Sequence, residues 1–191
     1  MGPGDLVPLE LHEIELILGF DRDHSRGSSC LTDRLRCLGN SFQIDTVAYH
    51  LSVLKVLYPS GVRVLSIFSN IGGAEVALHR LGIHLSCVVS IEICEKSRLV
   101  LSSWWTKTQQ TSRLIQKEDV QVLTTGVLEE LVEMVGGFDL IIGGLTCNNL
   151  PGKNGKDNGE AAKDFVFYEF PCIVMEVREI MHSKASANIF S

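Results

Sequence analysis

The chain of 191 residues contains no apolar run near the ~20 residues that a membrane-spanning helix needs. Its start, Met1-Gly2-Pro3-Gly4-Asp5-Leu6, has neither the basic stretch nor the apolar core of a signal peptide, which argues against secretion. Leu6 stands where N-myristoylation requires Ser or Thr, which argues against lipidation. The six cysteines (Cys30, Cys37, Cys87, Cys94, Cys147 and Cys172) include no C-x-x-C pair. That spacing speaks against a zinc site or a disulfide framework and fits a reducing, intracellular setting. Positive charge is not in surplus either: the net charge is −6, whereas a free-standing nucleic-acid binder usually carries a basic surface. The basic residues that do gather are Arg22, Arg26, Arg34 and Arg36, with His24 among them. They read either as a solvated loop or as a phosphate-contacting edge of a larger surface. With no internal repeat and no linker, the chain reads as a single domain, residues 1–191, long enough to bury a real core.

What is present is an alternation of helical and strand patterns. Apolar spacing predicts helices over Pro8 to Leu18, Phe42 to Leu57, Gly72 to Leu81, Glu95 to Thr108 and Val127 to Val135. Short β-branched runs predict strands at Val62 to Phe68, Leu85 to Ile91 and Phe138 to Ile142, and a shorter one at Val120 to Leu123. Asp21 to Thr32 and Pro151 to Glu160 read as polar loops. Lys163 to Met181 returns to helical spacing, with Pro171 expected to kink or split it. Trp104 and Trp105 read first as packing on a helix face. The alternation implies an α/β fold of Rossmann-like type, a mainly parallel sheet with helices on both faces.

Two stretches carry chemistry. Val64 to Glu75 is a strand, a glycine turn and a helix start, where Gly72 and Gly73 allow close approach of a ligand to backbone and to free helix N–H groups. Glu92 ends the next strand at the distance where nucleotide folds place an acid that grips ribose hydroxyls. Asp119, with Val120 after it, is placed to meet an adenine edge. The turn reads S-N-I-G-G-A rather than G-x-G-x-x-G, which favours a single nucleoside such as S-adenosylmethionine over a dinucleotide. The second stretch, Phe138 to Leu150, runs an apolar strand through Gly143 and Gly144 and then presents Cys147 at its carboxyl end. In open α/β sheets ligands and chemistry sit there.

These residues resemble the DNA cytosine-5 methyltransferases, and most closely their plant "domains rearranged" branch. Phe68-Ser69-Asn70-Ile71-Gly72-Gly73 looks like the family's first motif, Glu92-Ile93 the second, Asp119-Val120 the third, and Phe138 to Leu150 the catalytic fourth. Leu38-Gly39-Asn40-Ser41-Phe42 is similar to the last motif, and Glu13 to Phe20 to the one before it. Here both precede the first motif, an order that only the rearranged branch has. The resemblance runs from about Leu9 to Met181.

The resemblance implies transfer of a methyl group from S-adenosylmethionine to cytosine in DNA. The target base is flipped out of the stack, and the Cys147 thiolate adds to ring carbon 6 before carbon 5 takes the methyl group. The cofactor would be held by Phe68, Ser69, Asn70, Ile71, Gly72, Gly73, Glu92, Ile93, Asp119, Val120, Gly143, Asn40 and Ser41, with no metal. DNA, and a related methyltransferase subunit in a homo- or heterodimer, are the implied partners; a plant nucleus is the implied location. Four departures stand out. Thr146 replaces the proline before the family's cysteine, and Asn70 replaces a glycine. Phe170-Pro171-Cys172 stands where an arginine is expected. The glutamate motif that should precede Leu9 in the permuted order does not occur after Met1. The expectation is therefore an N-terminally incomplete domain with weak or absent catalysis alone. The competing expectations are a non-catalytic scaffold for an active relative and a methyltransferase for another substrate.

Overall fold

The computed structural model describes residues 7–27, 30–144 and 160–187, with backbone alone for 160–168. Among them is a four-stranded, all-parallel sheet in the order β3-β2-β1-β4. The strands are β1 (Val62–Ile67), β2 (Leu85–Ile91), β3 (Arg113–Lys117) and β4 (Leu140–Gly143). The helices are α1 (Leu11–Ile17), α2 (Leu31–Gly39), α3 (Ile44–Leu51), α4 (Leu54–Leu57), α5 (Gly73–Arg80), α6 (Glu95–Lys107), α7 (Thr125–Val135) and α8 (Glu160–Ala187).

The order of the sheet decides where a ligand can bind. Parallel crossovers are right-handed, so a chain that steps β1 to β2 to β3 keeps its helices on one face, and a step back across β1 to β4 moves the next helix to the other. The side chains follow. Val62 and Val64 of β1 pack with Val76, Ala77 and Leu78 of α5, with Val100 and Leu101 of α6, and with the amino-terminal helices. Leu65 and Ile67 pack on the opposite face with Leu128, Leu131 and Val132 of α7 and Ile173, Val177 and Ile180 of α8. The strand order therefore reverses between β1 and β4, and a crevice opens at their carboxyl ends, where this class of sheet binds its ligands.

Several elements differ from their sequence patterns for identifiable reasons. Val120 to Leu123 is not a strand. Asp119 accepts the Gln121 amide at 3.0 Å and closes a 3-10 turn over Val120–Val122, while the third strand is the preceding Arg113–Lys117. The polar segment after Asp21 holds a 3-10 turn, His24–Gly27, with His24 and Ser25 buried, and then helix α2, whose charged sequence buries only Cys37 and Leu38. The segment expected as one helix from Phe42 to Leu57 is two, α3 and α4, with Ser52 and Val53 between them. Pro171 lies inside α8, which stays helical across it. An interior proline costs a helix about 3 kcal/mol; burial of Ile173, Val177 and Ile180 just beyond it offsets that cost. Both tryptophans are buried, as packing requires. The Pro151 to Gly159 loop lies outside the described residues.

The buried turn is fastened by one carboxylate. Glu15 of α1 is 0% exposed. It accepts the Asp23 amide (2.7 Å), the Ser25 amide (2.9 Å), the Ser25 hydroxyl and Arg34 Nη2 (3.1 Å). Burial alone would raise its pKa, but the Ser25, Asp23 and Arg34 donors together bring it below the usual value. Arg34, one of the clustered arginines, is therefore spent inside the fold.

At the end of β4 two glycines are packed from opposite sides. A Cβ on Gly143 would stand 2.5 Å from the Phe170 ring of α8 and 3.0 Å from the Ile67 carbonyl; one on Gly144 would stand 3.0 Å from the Phe42 ring. Gly143→Ala is expected to lower stability by about 1–3 kcal/mol, the usual cost of overpacking. The check is the urea midpoint: an unchanged midpoint would mean that Phe170 does not press on the strand.

Candidate cofactor and catalytic site

The carboxyl ends of all four strands meet on one edge, since Ile67 is in register with Ile91 and Gly143, and Ile91 with Lys117. Just beyond them come Phe68 to Gly73, Glu92 and Ile93, Asp119 and Val120, and Gly144. The sequence motifs spread over about eighty residues thus converge on one rim.

The turn after β1 is held in a rare conformation. Phe68 (φ 56°), Asn70 (φ 47°) and Gly72 (φ 84°) are all left-handed. Such backbone costs roughly 1–2 kcal/mol at each non-glycine residue and persists only where neighbours impose it. Asn70 shows how. Its amide donates to Glu92 Oε2 (2.9 Å), its side-chain Nδ2 donates to the Cys37 carbonyl (2.6 Å), and its Oδ1 accepts from the Ser97 hydroxyl (3.0 Å). The Ser97 oxygen is in turn 3.4 Å from the Cys37 sulfur. One residue therefore ties the turn to α2, to α6 and to the acid at the end of β2.

Glu92 is positioned from both sides. Its Oε1 accepts the Cys94 amide at 2.8 Å, and Arg98 Nη1 donates to the carbonyls of Glu92 (2.8 Å) and Ile93 (2.9 Å). Beside it Ile93 is 74% exposed, a large apolar side chain left uncovered on the rim. Asp119 caps its own 3-10 turn at the end of β3.

The amino-terminal segment supplies the remaining wall. Phe42 packs with its Cβ 3.2 Å from the place a Cβ of Gly73 would occupy, and with its ring against Gly144. It thus bridges the glycine turn and the strand end that leads to Cys147. The sequence reading placed Phe42 in the Leu38 to Phe42 motif but gave it no task at the site. Next to it, Ser41 has a buried hydroxyl oxygen with no partner among the described residues. His24 Nε2 donates to the Ile71 carbonyl (2.9 Å), and its ring stacks on Phe20 with centroids 4.4 Å apart. Burial lowers the His24 pKa, outweighing the Ile71 hydrogen bond and the charges of Glu15 and Asp21.

Not every residue expected at the site turns its side chain to the crevice. Ile71 and Val120 are core residues, and the Ser69 hydroxyl is bonded to Ser90 inside the sheet (2.7 Å). These three can offer only backbone. Gly143 lies against Phe170. Cys147 and its neighbour Thr146 lie outside the described residues. No group of His, Cys, Asp or Glu among the described residues could hold a metal ion, and no helix among them is long and apolar enough to cross a membrane. An unpartnered hydroxyl, an uncovered isoleucine beside an oriented carboxylate, and a turn tight enough for close approach together fit a nucleoside-bearing ligand.

No protein-family model matches the chain. Among curated proteins it is 52% identical over 183 residues to DNA (cytosine-5)-methyltransferase DRM2 of Oryza sativa subsp. japonica, covering 95% of this chain and 30% of that protein. It is 54% identical over 155 residues to DNA (cytosine-5)-methyltransferase DRM1 of Arabidopsis thaliana, covering 81% of this chain and 25% of that one. It is also 43% identical over 182 residues to the "Probable inactive DNA (cytosine-5)-methyltransferase DRM3" of Oryza sativa subsp. japonica, covering 95% and 27%. The chain spans less than a third of the length of these relatives.

Two outcomes follow from the geometry. Asn70→Ala removes two buried side-chain hydrogen bonds and places alanine in left-handed backbone; a loss of about 2–4 kcal/mol is expected by denaturant titration. A loss of under 1 kcal/mol would mean the turn is held by something else. His24 has a depressed folded pKa, so the unfolded chain takes up the proton more readily. Its contribution is present above the unfolded value of about 6.5 and is lost as pH falls below it. The denaturation midpoint should therefore drop between pH 7 and 5.5, and the part of that drop due to His24 should vanish in His24→Gln.

Proposed function

Because the chain is a homologue of the plant DRM DNA (cytosine-5)-methyltransferases, we propose that it is the cofactor-binding and nucleophile-bearing portion of such a methyltransferase domain. In this reading it works on cytosine in DNA, in the nucleus of a plant cell. The observation that carries the reading is the convergence of Asn70 to Gly73, Glu92, Ile93, Asp119 and Ser41 on one rim of the sheet. S-adenosylmethionine bound there supplies an electrophilic methyl group. The chain's own residues do the rest. Glu92, oriented by the Asn70 and Cys94 amides, accepts hydrogen bonds from ribose hydroxyls. Ile93 covers an adenine face, Asp119 accepts from its amino edge, and the Ser41 hydroxyl gains the partner it lacks. Asn40, Phe68 and the backbone of Ser69, Ile71, Gly73, Val120 and Gly143 complete the wall. Cys147 is the nucleophile toward the flipped cytosine. Arg22 and Arg36, which unlike Arg34 carry no ion pair among the described residues, are the basic side chains left for phosphate contact.

A second reading has its own support. Relatives named as probable inactive methyltransferases are 43–44% identical over 95% of this chain. In that reading the domain keeps the fold and the cofactor rim and pairs with an active methyltransferase subunit.

Calorimetry with S-adenosylmethionine is expected to show binding, and Glu92→Ala to weaken it at least tenfold. Absence of binding by the parent chain would remove the cofactor reading. DNA carrying 5-fluorocytosine traps the cysteine adduct. For the chain alone no adduct is expected, and an adduct lost in Cys147→Ser would instead establish a self-sufficient enzyme.

A further inference from the structure

Directly beneath the glycine turn lies an acid to which neither reading gives a task. Glu75 sits in the first turn of α5 and is 0% exposed. Its Oε2 comes 3.6 Å from the place a Cβ of Gly72 would occupy, so the carboxyl lies against the apex of the turn. Neither of its oxygens meets a partner at full hydrogen-bond geometry. The Ser66 hydroxyl of β1 and the residue's own amide lie alongside and offset only part of the burial that pushes its pKa up. No charged neighbour contributes to that shift. The titratable groups around the turn are His24 on the 3-10 segment and Glu92 at the end of β2; His79 and Arg80 close α5 at its far end. Leu101 of α6 is the side chain that meets Gly72 from the other side.

An uncompensated neutral acid in the core is costly, and apolar residues of its size pack there at no such cost. What a carboxyl offers that an apolar residue does not is a charge that can be switched on. A positive charge arriving next to a carboxyl lowers its pKa by about 1–3 units. The two forms of the proposed cofactor differ in one respect that such a group can read: the methyl donor is a sulfonium cation, and the demethylated product is a neutral thioether.

We propose that Glu75 distinguishes donor from product: it gives up its proton to solvent when the sulfonium occupies the crevice above it, and keeps that proton when the thioether does. The step is an ionisation, carboxylic acid to carboxylate plus a proton released to buffer, and it involves no other reactant. It rests on the reading of the rim as an S-adenosylmethionine site. Glu75 acts on affinity and product release; it is not placed to touch DNA or Cys147.

The test is calorimetry of the whole chain at pH 7.5 in phosphate and in Tris, buffers with very different ionisation enthalpies, with S-adenosylmethionine and S-adenosylhomocysteine as ligands. The parent chain is expected to release more protons with the donor than with the product. Glu75→Gln should shrink that difference by the contribution of Glu75; the ligands' own amino groups, the donor's being the more acidic because of its sulfonium, contribute alike to both proteins and cancel between parent and variant. Equal proton release for the two ligands, or an unchanged difference in Glu75→Gln, overturns the proposal. Should Glu75→Gln not fold, the parent chain alone decides. The ligands are then 5′-dimethylthioadenosine, a sulfonium with no amino group on its side chain, and 5′-methylthioadenosine, its neutral thioether counterpart: the sulfonium must release more protons on binding, and equal release sinks the idea. If neither ligand binds, the cofactor reading itself falls and takes the proposal with it.

Discussion

The molecule is organised around β1, the strand at which the order of the sheet reverses, with β2 on one edge and β4 on the other. Parallel neighbours on either side, with helices forced to opposite faces by the handedness of their connections, leave its carboxyl end as the single point where the layers diverge. Every residue assigned a task at the rim is reached from that point. The turn leaving β1 is left-handed at three positions, a conformation that needs external support. The support comes from segments before and after it in the chain: Cys37 and Phe42 from the amino-terminal helices, Ser97 from α6, Glu92 from β2.

The amino-terminal segment is built into the turn after β1. The segment from α1 to α3 is not an appendage on the sheet. His24 holds the Ile71 carbonyl, Asn70 holds the Cys37 carbonyl, and Phe42 fills the space between Gly73 and Gly144. Continuity of the chain from Phe42 through α3 into β1 is one way to deliver these groups; what matters physically is that they arrive at the turn. Asn70 is accommodated in left-handed backbone by the same neighbours, through its side-chain hydrogen bonds.

Much of this was legible in the sequence. Buried β-branched runs announced β1 and β2, and the glycines after β1 and at the end of β4 marked the strand ends where ligands bind. Glu92 was legible from its spacing to Gly72, because parallel register puts strand ends side by side; Asp119 was picked out without the strand β3 that leads to it. What stayed hidden follows from the same physics. Helix α2 has apolar residues at helical spacing (Leu31, Leu35 and Leu38), but its start fell within the segment read as a polar loop and it buries only two side chains. Strand β3 is a five-residue edge strand with no buried residue. Val120 to Leu123 looked like a strand because composition cannot reveal that Asp119 will close a turn. The burial of Glu15 and Glu75 was invisible, since an acid in the core is recognised only by the neighbours that surround it.

The two tryptophans of the chain stand next to each other on α6, the helix that also carries Ser97. Trp104 meets the His79 imidazole edge-on at 5.5 Å, and Trp105 donates from Nε1 to the Ser112 carbonyl at 3.3 Å. All intrinsic indole emission of this protein therefore originates within one layer of the fold, on the face of the sheet that bears the amino-terminal helices. The opposite face, with α7 and α8, contributes no indole signal. A fluorescence melt records the loosening of the first layer alone, and a circular dichroism melt records both, so the two traces superimpose only if the layers come apart together.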